Sequence, residues 1–226
     1  MGSNNDTYRR QISDVLLYRF ARRLFQVLFS LWFSVRCIGR EKVPGSGGVL
    51  LASNHQSFLD PILVGFGLHR EVHYMARETL FRNPIAGRLI RAVNAFPVKR
   101  HSADVAAIKR TLRLLKNGEV VNLFTEGTRT RDGTIGRMQP GIIMLARKAG
   151  VPVVPVVIDG AFEAWPRDHK VCHCYPVRVM YGRAISPEQI RADGDEEAAL
   201  ALWQQQKQMQ QELRKQYGRE PFVYKD

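Results

Sequence analysis

A chain of 226 residues has room for one ordinary α/β domain with a substantial core. Lys and Arg total 34 against 21 Asp and Glu, a formal charge of +13, which favours an anionic partner without choosing among nucleic acid, a lipid leaflet, a phosphate-bearing substrate and an acidic carrier protein. Three cysteines, Cys37, Cys172 and Cys174, exclude a disulfide-stapled scaffold and suit a reducing compartment; Cys172 and Cys174 flank His173 too closely for an ordinary zinc spacing.

From Leu17 to Val35 the apolar residues Leu17, Phe20, Leu24, Val27, Leu28, Leu31 and Val35 step by three and four, a single helical stripe, with Arg19, Arg22, Arg23, Gln26 and Ser30 on the other side. The uninterrupted apolar part begins only after Arg23 and falls short of the roughly 20 residues that a spanning helix needs, so the segment is expected to lie on a membrane rather than cross it. Phe25, Phe29, Trp32 and Phe33 widen the apolar face as interfacial anchors do, the alternative being a helix packed on the core. Arginines inside the apolar region and the lack of a small-residue cleavage pattern speak against a secretory signal. The chain thus divides into an amphipathic membrane-associating helix over 1–40 and the main domain over 41–226.

Pro44, Gly45, Gly47 and Gly48 mark a turn, and 49–52 reads as a short buried strand, with further strands over 72–76, 120–124 and 151–158. Pro152 and Pro155 cannot donate to a ladder, which predicts an edge or irregular strand there. Val105, Ile108, Leu112 and Leu115 mark an amphipathic helix from near Ser102 to Gly118, and a second runs from Pro140 to Gly150 with Ile143 and Ala146 inward. A strand over 177–181, a helix start at Ser186-Pro187-Glu188 and a Gln-rich helix over 196–217 complete the chain. Strands alternating with helices imply an α/β fold, a single domain with a mixed central sheet flanked by helices on both faces.

The most specific segment is Asn54-His55-Gln56-Ser57-Phe58-Leu59-Asp60-Pro61, directly after the first buried strand. Residues five apart are separated by about 140° on a helix, so His55 must precede the helix if it is to meet Asp60. Ser57 as cap with Asp60 three positions on, a capping-box-like pair, would draw Asp60 back toward His55. The carboxylate then fixes the imidazole tautomer and leaves the other ring nitrogen as a base. Spacing alone also allows Asp60-Pro61 to be a plain helix entry and His55 a turn residue. Ser57 is a poor nucleophile candidate, because the chain has no Gly-x-Ser-x-Gly elbow.

In Leu123-Phe124-Thr125-Glu126-Gly127-Thr128-Arg129-Thr130-Arg131 an apolar strand breaks into a glycine turn bearing hydroxyls and arginines. Arginine offers a bidentate fork to a phosphate, Thr128 and backbone donors add to it, and Glu126 is placed to accept from a substrate hydroxyl or to hold an arginine; a charged surface turn is the plain alternative. Lys99-Arg100 after Asn94-Ala95-Phe96-Pro97-Val98 is a third candidate, at a strand end.

His55-x4-Asp60, Pro97-Val98-Lys99-Arg100, Phe124-Thr125-Glu126-Gly127-Thr128-Arg129 and Val151-Pro152-Val153-Val154-Pro155 together resemble the four motifs of the glycerolipid acyltransferases, in particular the 1-acyl-sn-glycerol-3-phosphate group. The resemblance covers roughly residues 40 to 183, and departs from the family where Asn94, Pro97, Val98, Thr125 and Thr130 stand. It implies acyl transfer from acyl-coenzyme A or acyl-carrier protein to the sn-2 hydroxyl of 1-acylglycerol 3-phosphate, with His55 as base and Asp60 stabilising the imidazolium. Arg100, Glu126, Gly127, Thr128 and Arg129 would hold the acceptor's phosphate region, with no metal and no cofactor beyond the thioester donor. Its partners would be the lysophospholipid, the donor and a membrane surface, at which the enzyme sits peripherally on the cytoplasmic face. Another lysolipid acceptor, such as a lyso-ornithine lipid, is the alternative within the class. A basic nucleic-acid binder is the alternative outside it, suggested by charge alone and lacking zinc-finger spacing or an aromatic RNA-binding signature.

Overall fold

A computed structural model of the chain describes residues 12–99, 104–139 and 141–224. Its strands are β1 (Arg36–Ile38), β2 (Val49–Ser53), β3 (Val72–Arg77), β4 (Ala95–Val98), β5 (Val120–Phe124), β6 (Val153–Asp159) and β7 (Arg178–Tyr181). They form one sheet in the order β1-β7-β6-β2-β5-β3-β4. Pairing is parallel from β6 across to β4, antiparallel between β6 and β7, and parallel between β7 and β1, so the sheet is mixed.

Helices cover both faces. On one side α1 (Ile12–Phe33), α2 (Asp60–Phe66) and α3 (Pro84–Ala92) place Phe29, Phe33, Leu63, Val64 and Ile90 in a core with Val49, Leu51 and Val156. On the other, α4 (Val105–Lys116), α5 (Gly141–Ala149), α7 (Pro187–Asp193) and α8 (Asp195–Gln216) bring Leu115, Ile143, Ala146, Ile190 and Leu202 against Leu50, Ala52 and Val153. A short α6 (Ala161–Ala164) follows β6. Strands buried on both faces need apolar side chains at successive positions, which is why β2 and β6 read as continuous apolar runs.

Pro155 does not send β6 to an edge, because the strand lies between β7 and β2. The ladder to β7 runs to Val156↔Tyr181 and pairing resumes at Val153↔Ile185 after a slip of one residue. Pro155 sits in that gap, its carbonyl accepting from the Gly182 N–H at 2.8 Å, so its missing donor falls where the ladder is already broken. The irregularity was legible; the central position was not. The helix expected from Ser102 is capped instead by Asp104, whose side chain accepts from the Ala107 N–H, while Ser102 and Pro140 lie outside the described residues. Ser186 makes a full capping box with Gln189, as its start signal foretold.

The N-terminal helix divides its apolar residues between two sides. Phe29 and Phe33 enter the core, whereas Phe20, Leu24, Val27, Leu28, Leu31 and Trp32 are exposed. The sheet takes its first strand from residues 36–38, short of the boundary at residue 40 drawn from composition. Among the described residues no helix is long and apolar enough to cross a membrane.

Candidate active site

The topology makes a crevice before any side chain is considered. From β2 the chain passes through α2 on one face of the sheet, and from the neighbouring β5 through α5 on the other. Connections that part in this way leave the carboxyl ends of the two strands open between them, the place where ligands bind in open α/β sheets. Asn54-His55 follows β2 and Thr125-Glu126-Gly127-Thr128-Arg129 follows β5, so the two most specific segments of the sequence meet there.

His55 Nδ1 lies 2.7 Å from Asp60 Oδ2, with the imidazole 16% accessible and the carboxyl group fully buried. The same oxygen accepts the backbone N–H of Gln56 at 2.6 Å and of Ser57 at 2.8 Å. An oxygen already accepting two N–H bonds takes a third donor from the ring, so Nδ1 carries the proton and Nε2 keeps its lone pair. Asp60 therefore reaches back from the first turn of α2 as the spacing predicted. Only half of the anticipated capping box forms, however: Ser57 Oγ donates to the Trp165 carbonyl at 3.0 Å, and no side chain caps α2. Phe124 stacks flat on the imidazole, with ring centroids 3.8 Å apart and planes within 14°.

Glu126 does something the sequence reading did not foresee. Instead of facing a substrate hydroxyl or an arginine, it accepts the His55 backbone N–H at 2.9 Å through one oxygen and the Gly136 N–H at 3.1 Å through the other. The Thr130 N–H closes the opposite side by donating to the His55 carbonyl at 2.8 Å. The turn after β5 thus grips His55 from both directions. Burial pushes the Glu126 carboxyl up to about 7, against the downward pull of its two backbone donors.

Gly127 bridges this grip with a φ of +67°, a left-handed conformation suited to glycine. Thr128 Oγ1 accepts weakly from Arg167 at 3.4 Å, and the Arg129 guanidinium lies 3.5 Å over the exposed ring of Phe58. Both are therefore held on the segment that borders His55. Arg100 lies outside the described residues. Sequence reasoning missed Asn54, whose amide bonds both the carbonyl and the N–H of Ile158 at 2.9 and 2.8 Å, tying the end of β2 to β6. It also passed over Gln56, which donates to the Gly133 carbonyl at 2.9 Å, and the stacking role of Phe124. The polar pair flanking His55 at the end of an apolar strand was the available signal.

Residues 34–159 match the family model described as Acyltransferase. The chain belongs to this acyltransferase family. The acyltransferase is 33% identical over 145 residues to the 1-acyl-sn-glycerol-3-phosphate acyltransferase of Bacillus subtilis, a match covering 64% of this chain and 72% of the relative. A chloroplastic 1-acyl-sn-glycerol-3-phosphate acyltransferase of Brassica napus is 33% identical over 184 residues, 76% of this chain and 53% of its own length, so the chain spans about half of the plant protein. Among solved structures, the 1-acyl-sn-glycerophosphate acyltransferase PlsC of Thermotoga maritima superposes with a TM-score of 0.72 at 26% identity, covering 89% of this acyltransferase and 80% of that chain.

Proposed function

We propose that this acyltransferase moves a fatty acyl group from acyl-coenzyme A or acyl-carrier protein to the sn-2 hydroxyl of 1-acylglycerol 3-phosphate, forming phosphatidate, with His55 as general base. The observation that carries the reading is the His55–Asp60 pair at the crevice, held at 2.7 Å so that Nε2 is the basic nitrogen. Nε2 takes the hydroxyl proton as the acceptor oxygen bonds to the thioester carbonyl carbon. The carbon–sulfur bond then breaks, and the imidazolium returns its proton to the departing thiolate. Asp60 stabilises the imidazolium between the two transfers. No acyl-enzyme and no cofactor are required, because the thioester supplies an activated acyl group.

Arg129, with Thr128, the Gly127 backbone and Arg100, would bind the acceptor's phosphate, while Glu126 acts by fixing the backbone of His55. The exposed apolar side of α1 supports a peripheral seat on a membrane surface, which in this reading is the cytoplasmic one. Nucleic acid has no part in this scheme. Thiol release measured across lysophosphatidate, lyso-ornithine lipid and uncharged acceptors, with matched coenzyme A and carrier-protein donors, tests it. His55→Ala should lower turnover by about 10²–10⁴-fold, the span of a positioned base, with the circular dichroism spectrum unchanged. Retention of more than a tenth of the activity would remove His55 from the role, and a preference for an acceptor without phosphate would remove lysophosphatidate.

A further inference from the structure

Helix α3 carries its apolar residues on the wrong side for a helix whose only task is to cover the sheet. Successive helical residues advance by about 100°, so Ile85 and Leu89 lie within about 40° of one another and point away from Gly87 and Ile90. Gly87 is buried and Ile90 packs on the core with Phe81, whereas Ile85 is 81% and Leu89 54% exposed. Leu80, in the turn leading into the helix, is 43% exposed.

Neither folding nor packing calls for these residues. Asn83 Oδ1 accepts the N–H groups of Ile85 and Ala86, both at 3.0 Å, and Pro84 occupies the first turn, so the helix start is specified without an apolar outer face. The inner face is already closed, with the Arg91 guanidinium over Phe81 at 5.2 Å.

The outer face has a chemical character of its own. Arg82 and Arg88 flank it, both exposed, and the sequence from 79 to 103 contains no aspartate or glutamate. Helix α1 touches α3 on the same side of the sheet and turns its own large apolar residues outward, among them Leu24, Val27, Leu28 and Leu31, near the exposed Arg23. Exposed apolar side chains flanked by arginines, on a stretch of sequence without aspartate or glutamate, match the interface of an anionic leaflet, where the aliphatic groups enter the acyl region and guanidinium groups meet lipid phosphates.

We propose that α3 is a second lipid-contacting element, and that α1 and α3 together seat the enzyme on an anionic membrane. This rests on the reading of the chain as a membrane-surface acyltransferase, and assigns to Ile85, Leu89, Arg82 and Arg88 a role outside the catalytic crevice. The footprint borders α2, the helix that carries Asp60, since α1 touches both α2 and α3.

Co-sedimentation with vesicles of phosphatidylglycerol and phosphatidylcholine tests it, alongside thiol release on a water-soluble short-chain lysophosphatidate. The double variant Ile85→Asp/Leu89→Asp should partition at least tenfold less strongly, with melting temperature and short-chain turnover unchanged; Ile85→Ser/Leu89→Ser repeats the test should aspartate disturb the helix. Arg82→Glu/Arg88→Glu should weaken binding to anionic vesicles and leave the weak binding to pure phosphatidylcholine as it was. Wild type that ignores vesicles altogether would defeat the membrane reading itself. Wild type and the Ile85/Leu89 variants binding equally would defeat the role of α3 alone. A variant that keeps vesicle binding and loses turnover only with acyl-carrier-protein donors would assign the face to the acidic carrier, overturning the proposal.

Discussion

At the scale of single residues, Glu126 couples the site to pH. Its carboxyl titrates near 7 rather than its ordinary 4.5 because burial penalises the anion. Below 4.5 the group is protonated in folded and unfolded chains alike and costs nothing. Between 4.5 and 7 the unfolded chain ionises first, so stability is lost as pH rises. Replacing Glu126 by Gln removes that slope. In urea unfolding, the wild-type minus variant free energy should fall by about 2–3 kcal/mol between pH 5 and 8, and a flat difference would place the carboxyl in water. Arg129 makes a different kind of contribution, since its guanidinium is stacked in place on Phe58 before any ligand arrives. Arg129→Ala should weaken kcat/KM for phosphate-bearing acceptors by about 1.5–3 kcal/mol, the range for hydrogen bonds to a charged group. An equal loss on uncharged acceptors would contradict a phosphate contact.

At the scale of elements, the end of β2 matters most, because Asn54 stitches it to β6 just before His55. Asn54→Ala would leave the Ile158 N–H and carbonyl without that partner, at a cost of about 1–3 kcal/mol. Turnover should fall with stability, and unchanged chemical denaturation would mean that the tie is replaceable. How far sequence could go is also an element-scale matter. The strands β2 and β5 were visible because burial on both faces demands apolar runs, and His55 and Asp60 were visible because their spacing forces a pre-helical histidine. The position of β6 was hidden: proline's missing donor argues against a ladder, and only the register slip beside Val156 shows how a central strand absorbs it. The short β1, and the true partners of Glu126, depend on neighbours far along the chain, which no local pattern encodes. Among the described side chains of α1 the inward face belongs to Phe29 and Phe33, two residues that the sequence pattern assigned to the margin of its stripe.

At the scale of the whole molecule, a buried charge cluster fastens the C-terminal helix to the sheet. Asp159, at the end of β6 and 1% exposed, pairs with Arg214 of α8 at 2.9 Å and with Arg219, while Arg214 also reaches Glu163 at 3.1 Å. Asp159→Asn leaves cations in a dry site with reduced compensation and should lower unfolding free energy by about 3–5 kcal/mol. A loss under 1 kcal/mol in urea would show that water reaches the cluster.

The hold of Glu126 on the His55 backbone spans 71 residues, and β5 enters between β2 and β3, strands made long before it. A nascent chain emerging from the ribosome as far as β4 already contains the histidine and its aspartate, yet lacks the turn that grips them and the neighbour that fills the middle of the sheet. Long-range parallel pairing of this kind is slow, because loop closure must precede the contacts that reward it. The gripped form of His55 therefore cannot exist until β5 has been made and has paired between β2 and β3.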